Sequence, residues 1–184
     1  ERTLYNKKIA VIPKIDLLGI DDEIYNKLIK ICYKNNIKVA VNPKNLAAME
    51  KTNPYILIFD KDDIEKEKNI NYTGEVIEYN KKFIQAGSKI VLVNSKRATI
   101  ISTEEKNYRA YVNKEKLGRN EITEKFDTEL SLAGLAMAID RDYDFITSIK
   151  LAISCGVWEN FVEKDKIDMS AIKKIMNSVE VEEI

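Results

Sequence analysis

The chain has 184 residues, and its 30 basic and 30 acidic side chains cancel to a formal charge of zero, so no global field draws it to nucleic acid or to an anionic membrane. It contains no histidine, which removes Ser-His-Asp triads, imidazole acid–base chemistry and His-based zinc sites. No apolar run approaches the roughly 18 residues of a membrane span, and the opening ERTLYNKK is no signal peptide. The expectation is a soluble, cytoplasmic protein forming one domain over residues 1–184, and Glu1 in place of methionine hints that the chain begins inside a longer product.

In chain order, KIAVI (Lys8 to Ile12) reads as a short buried strand, and DDEIYNKLIKICYKNN repeats Ile24, Leu28, Ile31 and Cys32 at helical spacing. Asp21 or Asp22 suits the start of that helix and Asn35-Asn36 its end. IKVAV (Ile37 to Val41) is a second strand, Pro43 begins a short helix through Met49, and PYILIF (Pro54 to Phe59) is a third strand. EVIEYNKKFIQAG is helical and stops at Gly87, and KIVLV (Lys89 to Val93) is a fourth strand. Strands separated by helices pair in parallel through right-handed crossovers, so a three-layer α/β fold with a mainly parallel central sheet is predicted. ATIIS (Ala98 to Ser102) and NYRAYV (Asn107 to Val112), with short links, read as an antiparallel extension. Helices follow at Asp127 to Ile139, Tyr143 to Cys155 and Ser170 to Asn177, before a terminal strand in VEVEEI.

Two cysteines, Cys32 and Cys155, sit in apolar helical patterns without metal-ligand spacing and read as buried thiols. The junction EITEKFDTELSLAGLAMAID, Glu121 to Asp140, poses the sharpest chemical question. A helix N-terminus after a strand is an anion site, because unpaired N–H groups and the helix dipole converge there. Phosphate sites of this kind favour glycine, and the stretch has none before Gly134. Its plain reading is a core helix capped by Thr123, Asp127 or Thr128, with Glu129 in the first turn answering the dipole and Ala133, Gly134, Ala136 and Ala138 permitting close packing.

The order of these elements and three local stretches resemble the C-terminal part of the PfkB, or ribokinase-like, carbohydrate kinases, especially the 1-phosphofructokinase and tagatose-6-phosphate kinase branch. DDEIYNKLIKICYKNNIKVAVN resembles the helix and strand after that family's Gly-Ser-Leu-Pro segment, and NPYILIFDKDDIEK its Lys-Pro-Asn-x-x-Glu segment. TELSLAGLAMAI with SIKLAISCG resembles the catalytic helix and the helix beside the nucleotide, and IKKIMNSVEVEEI resembles that branch's ending. The resemblance implies a ribokinase-like domain lacking its N-terminal part, which in the family supplies sugar-binding residues and the lid. It also implies Mg-ATP and a phosphosugar as ligands if the site is active, with Cys155 and Gly156 on the nucleotide side.

The departures from the family's signatures are chemically specific. Its Gly-Ala-Gly-Asp, which surrounds the transferring phosphate and supplies the base, falls on Phe126, Asp127, Thr128 and Glu129. Glu129 keeps a carboxylate as a candidate base, but an extra methylene displaces its oxygens by more than about 1 Å. Phe126 and Thr128 disfavour positive φ, and Asp127 adds negative charge where a γ-phosphate would sit. The family's magnesium-organising Asn-x-x-Glu falls on Asp60 and Asp63, which could still hold the ion through water. In NSKRA, Asn94 and Arg97 replace glycines beside the nucleotide phosphates, and KIDLLG keeps only Gly19 of Gly-Ser-Leu-Pro-Pro-Gly. Six glycines are about half of what the usual frequency of roughly 7 per cent would supply, which agrees with an eroded phosphate cradle.

Three readings stand. The chain is a degenerate kinase-like domain acting as an interaction or regulatory module; or part of a working ATP-dependent phosphosugar kinase; or another small-molecule binder on the same fold. Missing opening strands would leave an apolar sheet edge, so a second copy or a second chain is expected to cover it.

Overall fold

The computed structural model describes residues 8–14, 22–49, 52–66, 69–70, 72–95, 97–118, 126–158 and 169–184. Strands β1 (Ile9–Ile12), β2 (Lys38–Val41), β3 (Ile56–Asp60) and β4 (Ile90–Asn94) pair in parallel, in that order. From β4 the sheet turns antiparallel through β5 (Thr99–Thr103), β6 (Asn107–Val112) and β7 (Val179–Glu183). The antiparallel part is larger than the predicted extension, because tight links join β4 to β5 and β5 to β6, and the C-terminal strand adds to β6.

Side-chain alternation divides the sheet's two faces. Leu57, Phe59, Val91 and Val93 point toward α1 (Asp22–Lys34) and α4 (Thr73–Ala86), meeting Ile29, Cys32, Val76, Tyr79 and Phe83. Ile56, Ile58, Ile90 and Leu92 point the other way, toward α6 (Thr128–Asp140), α7 (Phe145–Val157) and α8 (Met169–Ser178). The result is the predicted three-layer arrangement. The strands that carry both faces are near-continuous apolar runs for this reason.

Short helices α2 (Leu46–Met49), α3 (Lys61–Glu65) and α5 (Lys114–Leu117) complete the described elements. The helix predicted from Pro43 begins only at Leu46, and α3 and α5 are too short to announce themselves by periodicity. Two predicted stops hold. Asn36 adopts φ 56° after α1, a conformation asparagine tolerates, and Gly87 adopts φ 121° while its N–H reaches the Phe83 and Ile84 carbonyls. Asp21, the Asp22 side chain, Gly19 and Thr123 lie outside the described residues.

Two burial expectations are corrected. Cys32 is fully buried, but Cys155 is only partly so. In α1 the inward residues are Ile29 and Cys32, whereas Ile24, Leu28 and Ile31 are each more than 40 % exposed, as is Val11 on β1. Ile24, Leu28 and Ile31 share a helical face by their spacing, and β1 is the sheet's terminal strand among the described residues. An apolar stripe of α1 therefore lies exposed, while Val11 is exposed on the other face of the sheet, the side to which Ile9 points.

Candidate functional site

A polar residue stands at or just past the carboxyl end of each parallel strand, and these ends converge on the N-terminus of α6. Lys14 follows β1, Asn42 follows β2, Asp60 closes β3 and Asn94 closes β4. The convergence has a topological cause. Parallel strands share one direction, so their carboxyl ends lie on one edge of the sheet, where ligands of α/β proteins collect.

Thr128, the first residue of α6, is buried at the centre. Its hydroxyl donates to Asp60 Oδ1 and accepts from Asn94 Nδ2 at 3.1 Å, while Asn94 Oδ1 accepts from Thr99 Oγ1 at 2.8 Å. Asn94 is thus turned into this internal chain. Burial pushes the Asp60 carboxyl above its usual range and repulsion from Asp63 adds to this, against the Thr128 hydrogen bond and the Lys14 charge.

Glu129 is fixed one residue on. Its Oε1 accepts from the Lys14 backbone N–H at 2.7 Å and from Asn42 Nδ2 at 2.8 Å. Its Oε2 is buried without a partner among the described residues, and so is Asn42 Oδ1. Burial raises the Glu129 carboxyl above its ordinary value, assisted by the Asp127 charge and opposed by the two donors and by Lys14.

Asp63 is occupied by ammonium groups. Lys14 Nζ lies 2.7 Å from both of its oxygens, and Lys66 Nζ lies 2.8 Å from Oδ1. Burial opposes the Asp63 charge, but the two lysines more than offset it and hold the carboxyl below its usual range. The fit for magnesium is accordingly poor. Asp63 has its lone pairs committed to lysine, Asp60 accepts from Thr128, and among the described residues no three of His, Cys, Asp or Glu gather to hold a metal.

The remaining cradle positions are filled by the chain itself. Asp127 caps α6, its carboxylate accepting from Leu130 N–H at 2.9 Å; it is one of the three caps that the plain helix reading offered. Its own N–H donates to the Gly156 carbonyl at 2.7 Å, which pins the segment to the end of α7. Asp127 has φ −93°, and neither Phe126 nor Thr128 adopts positive φ, so the junction is built without the conformations that glycine alone favours. The Phe126 ring lies directly on Gly156: a Cβ at that glycine would stand 2.6 Å from Phe126 Cε1 and 2.9 Å from Cε2. Cys155 packs at the other side of the same turn, against Gly134, where an added Cβ would meet its Sγ at 2.8 Å.

The structure therefore brings Asp60, Asp63, Asn94, Thr128 and Glu129 into one network, and Phe126, Asp127, Cys155 and Gly156 into an adjoining packed turn. Arg97 belongs to neither: its side chain lines a cavity on the α4 side of the sheet. Lys14 and Asn42 were missed by motif reasoning. The signal that could have found them is positional, a polar residue just past each parallel apolar run.

No protein-family profile and no curated relative matches the sequence. The fold itself is that of the ribokinase-like carbohydrate kinases. The chain is similar to a protein provisionally named a phosphofructokinase from Staphylococcus aureus, with TM-score 0.79 and 19% identity over 100% of this chain and 61% of that one. A protein provisionally named a 1-phosphofructokinase from Thermotoga maritima gives TM-score 0.78 and 18% identity, covering 100% of this chain and 59% of that one. Escherichia coli phosphofructokinase-2, solved with fructose-6-phosphate, gives TM-score 0.73 and 13% identity over 96% and 58%. The chain thus spans about three-fifths of the length of the structures it matches. No helix among the described residues is long and apolar enough to cross a membrane.

Proposed function

We propose that this chain is a degenerate phosphosugar-kinase domain of the ribokinase-like type, without phosphoryl transfer, serving as an interaction or regulatory module in a larger assembly. The observation that carries this reading is the seating of the Lys14 ammonium on Asp63, where a kinase would organise magnesium. The Phe126 ring against Gly156 and the Asp127 carboxylate at the head of α6 support it, since both stand where a phosphate would need space and N–H donors. Losing several such donors at about 2.7–4 kcal/mol each lowers turnover by many orders of magnitude.

The competing reading, an ATP-dependent kinase of the 1-phosphofructokinase or tagatose-6-phosphate kinase type, draws on one specific observation: Glu129 retains a carboxylate at the head of the helix, with Oε2 uncommitted. The deciding assay follows ADP release from Mg-ATP with fructose 1-phosphate or tagatose 6-phosphate, using the complete natural protein. The expected outcome is no turnover, and none gained in Glu129→Asp. Robust turnover abolished by Glu129→Gln would overturn the degenerate reading and make Glu129 the base.

The assembly part of the proposal rests on the exposed apolar stripe Ile24, Leu28 and Ile31 of α1 and on the terminal position of β1 among the described residues. A second copy or a second chain covering this face is expected to hold the protein in a complex at micromolar concentration. Sedimentation of the natural protein as a monomer, with no partner bound, counts against it.

A further inference from the structure

The cavity that Arg97 lines, of about 700 Å³, opens on the opposite face of the sheet from the helix that carries Glu129. Its origin is topological. The link from β4 to β5 is tight, so β5 shares α4 with β4, Asn80 Nδ2 donating to Ser102 Oγ at 3.0 Å, and a recess remains alongside, walled by α3, by Thr73 and Val76 of α4 and by Ile100 and Arg109 of β5 and β6. Val76, Val93, Ala98 and Ile100 contribute an apolar lining, and Tyr72, 65% exposed, stands in its wall. The size lies within the range of small-molecule sites, about 300–1,000 Å³.

The charges in this recess are unequal. Lys61 is joined to Glu65 at 3.0 Å, leaving Arg97 and Arg109 against the single carboxylate of Asp62. Arg97 follows the carboxyl end of β4, and the pairing of Ile100 with Arg109 sets the second guanidinium beside the apolar lining. Neither arginine has an ion-pair partner among the described residues; Arg109 lies 5.4 Å from the Tyr111 ring. Two guanidiniums with unused donors at the mouth of an apolar recess match a carboxylate or phosphate carried on a flat or aliphatic ring. A net charge near +1 among these side chains suits a monoanion or dianion better than a polyphosphate.

We propose that this recess binds a small organic anion, a carboxylate or phosphate monoester on an apolar ring, with Arg97 and Arg109 as its anchors. The site goes beyond the loss of phosphoryl transfer and does not depend on it, since it lies on the other face of the sheet.

The test titrates the complete natural protein with phenyl phosphate, benzoate, inorganic phosphate and ATP by calorimetry, while amide shifts of Ser95, Ala98 and Ile100 report the location. Saturable binding of phenyl phosphate or benzoate is expected, about tenfold or more tighter than inorganic phosphate and than ATP. The two ring compounds separate a phosphate ester from a carboxylate. Arg97→Gln with Arg109→Gln should weaken binding by about tenfold or more while leaving the melting temperature unchanged, both side chains being exposed. No saturable binding at millimolar concentration, equal affinity for inorganic phosphate, or affinity unchanged in the double variant would each overturn the proposal. ADP release is read separately, so the two readings fail independently.

Discussion

The packing of Phe126 on Gly156 can be tested by a double-mutant cycle with a predicted change of sign. Gly156 lies in the last turn of α7, where alanine is intrinsically better than glycine by up to about 1 kcal/mol. In the wild-type background an added methyl would stand 2.6 Å and 2.9 Å from two ring carbons of Phe126, against an ordinary carbon contact of about 3.5–4.0 Å. The ring or the helix must shift by several tenths of an ångström or more, and such overpacking costs about 1–3 kcal/mol. Gly156→Ala alone should therefore be neutral to destabilising by about 2 kcal/mol. In a Phe126→Ala background the clash is gone, and the same change should stabilise by up to about 1 kcal/mol. Thermal and urea unfolding of the four proteins measures both, with about 2–4 °C expected per kcal/mol in a chain of this size. An equal effect of Gly156→Ala in both backgrounds would refute the idea that Phe126 fills this space.

Three further outcomes follow from the polar network. Asp63 has a depressed carboxyl pKa, so its contribution to stability is present above its unfolded value of 3.8 and is lost as pH falls through the folded value. Lys14→Met removes one of its two ammonium partners and should cost about 1–3 kcal/mol at pH 7, moving acid unfolding to higher pH; Lys66 keeps the loss toward the lower end. Glu129 is shifted the other way: a raised pKa makes stability fall as pH rises from its unfolded value of 4.5 through the folded one. Glu129→Gln should flatten that part of a urea-unfolding pH profile while keeping an acceptor for Lys14 N–H, and a profile unchanged from wild type would contradict the assignment. Thr128→Val leaves Asp60 without its hydroxyl donor and Asn94 Nδ2 without its acceptor, for an expected loss of about 1–3 kcal/mol by denaturant unfolding. Thr128→Ser should recover most of it.

The elements were legible in the sequence because they are local. Apolar runs such as Ile56 to Phe59 are buried on both faces, and that requirement is written into every residue. Asn36, Gly87 and the Asp127 cap were legible for the same reason, since a turn or cap is satisfied within a few residues of itself. Resemblance of order and pattern also identified the fold, and it placed the head of α6 at Phe126 to Glu129.

Relations across the sheet were decided only by tertiary structure. Lys14 reaches Asp63 across 49 positions and Glu129 across 115, separations at which neither periodicity nor a short motif carries information. Tertiary packing also set which side of α1 faces inward: spacing alone grouped Cys32 with Ile24, Leu28 and Ile31, whereas the sheet receives Cys32 with Ile29. Arg97 is the same case at shorter range. Its charge was plain in the chain, but the antiparallel turn after β4 carries it to the α4 side, away from the junction where motif counting had placed it. Local propensity specifies what an element is; which groups it meets depends on the closure of the whole chain, where burial selects one set of long-range partners.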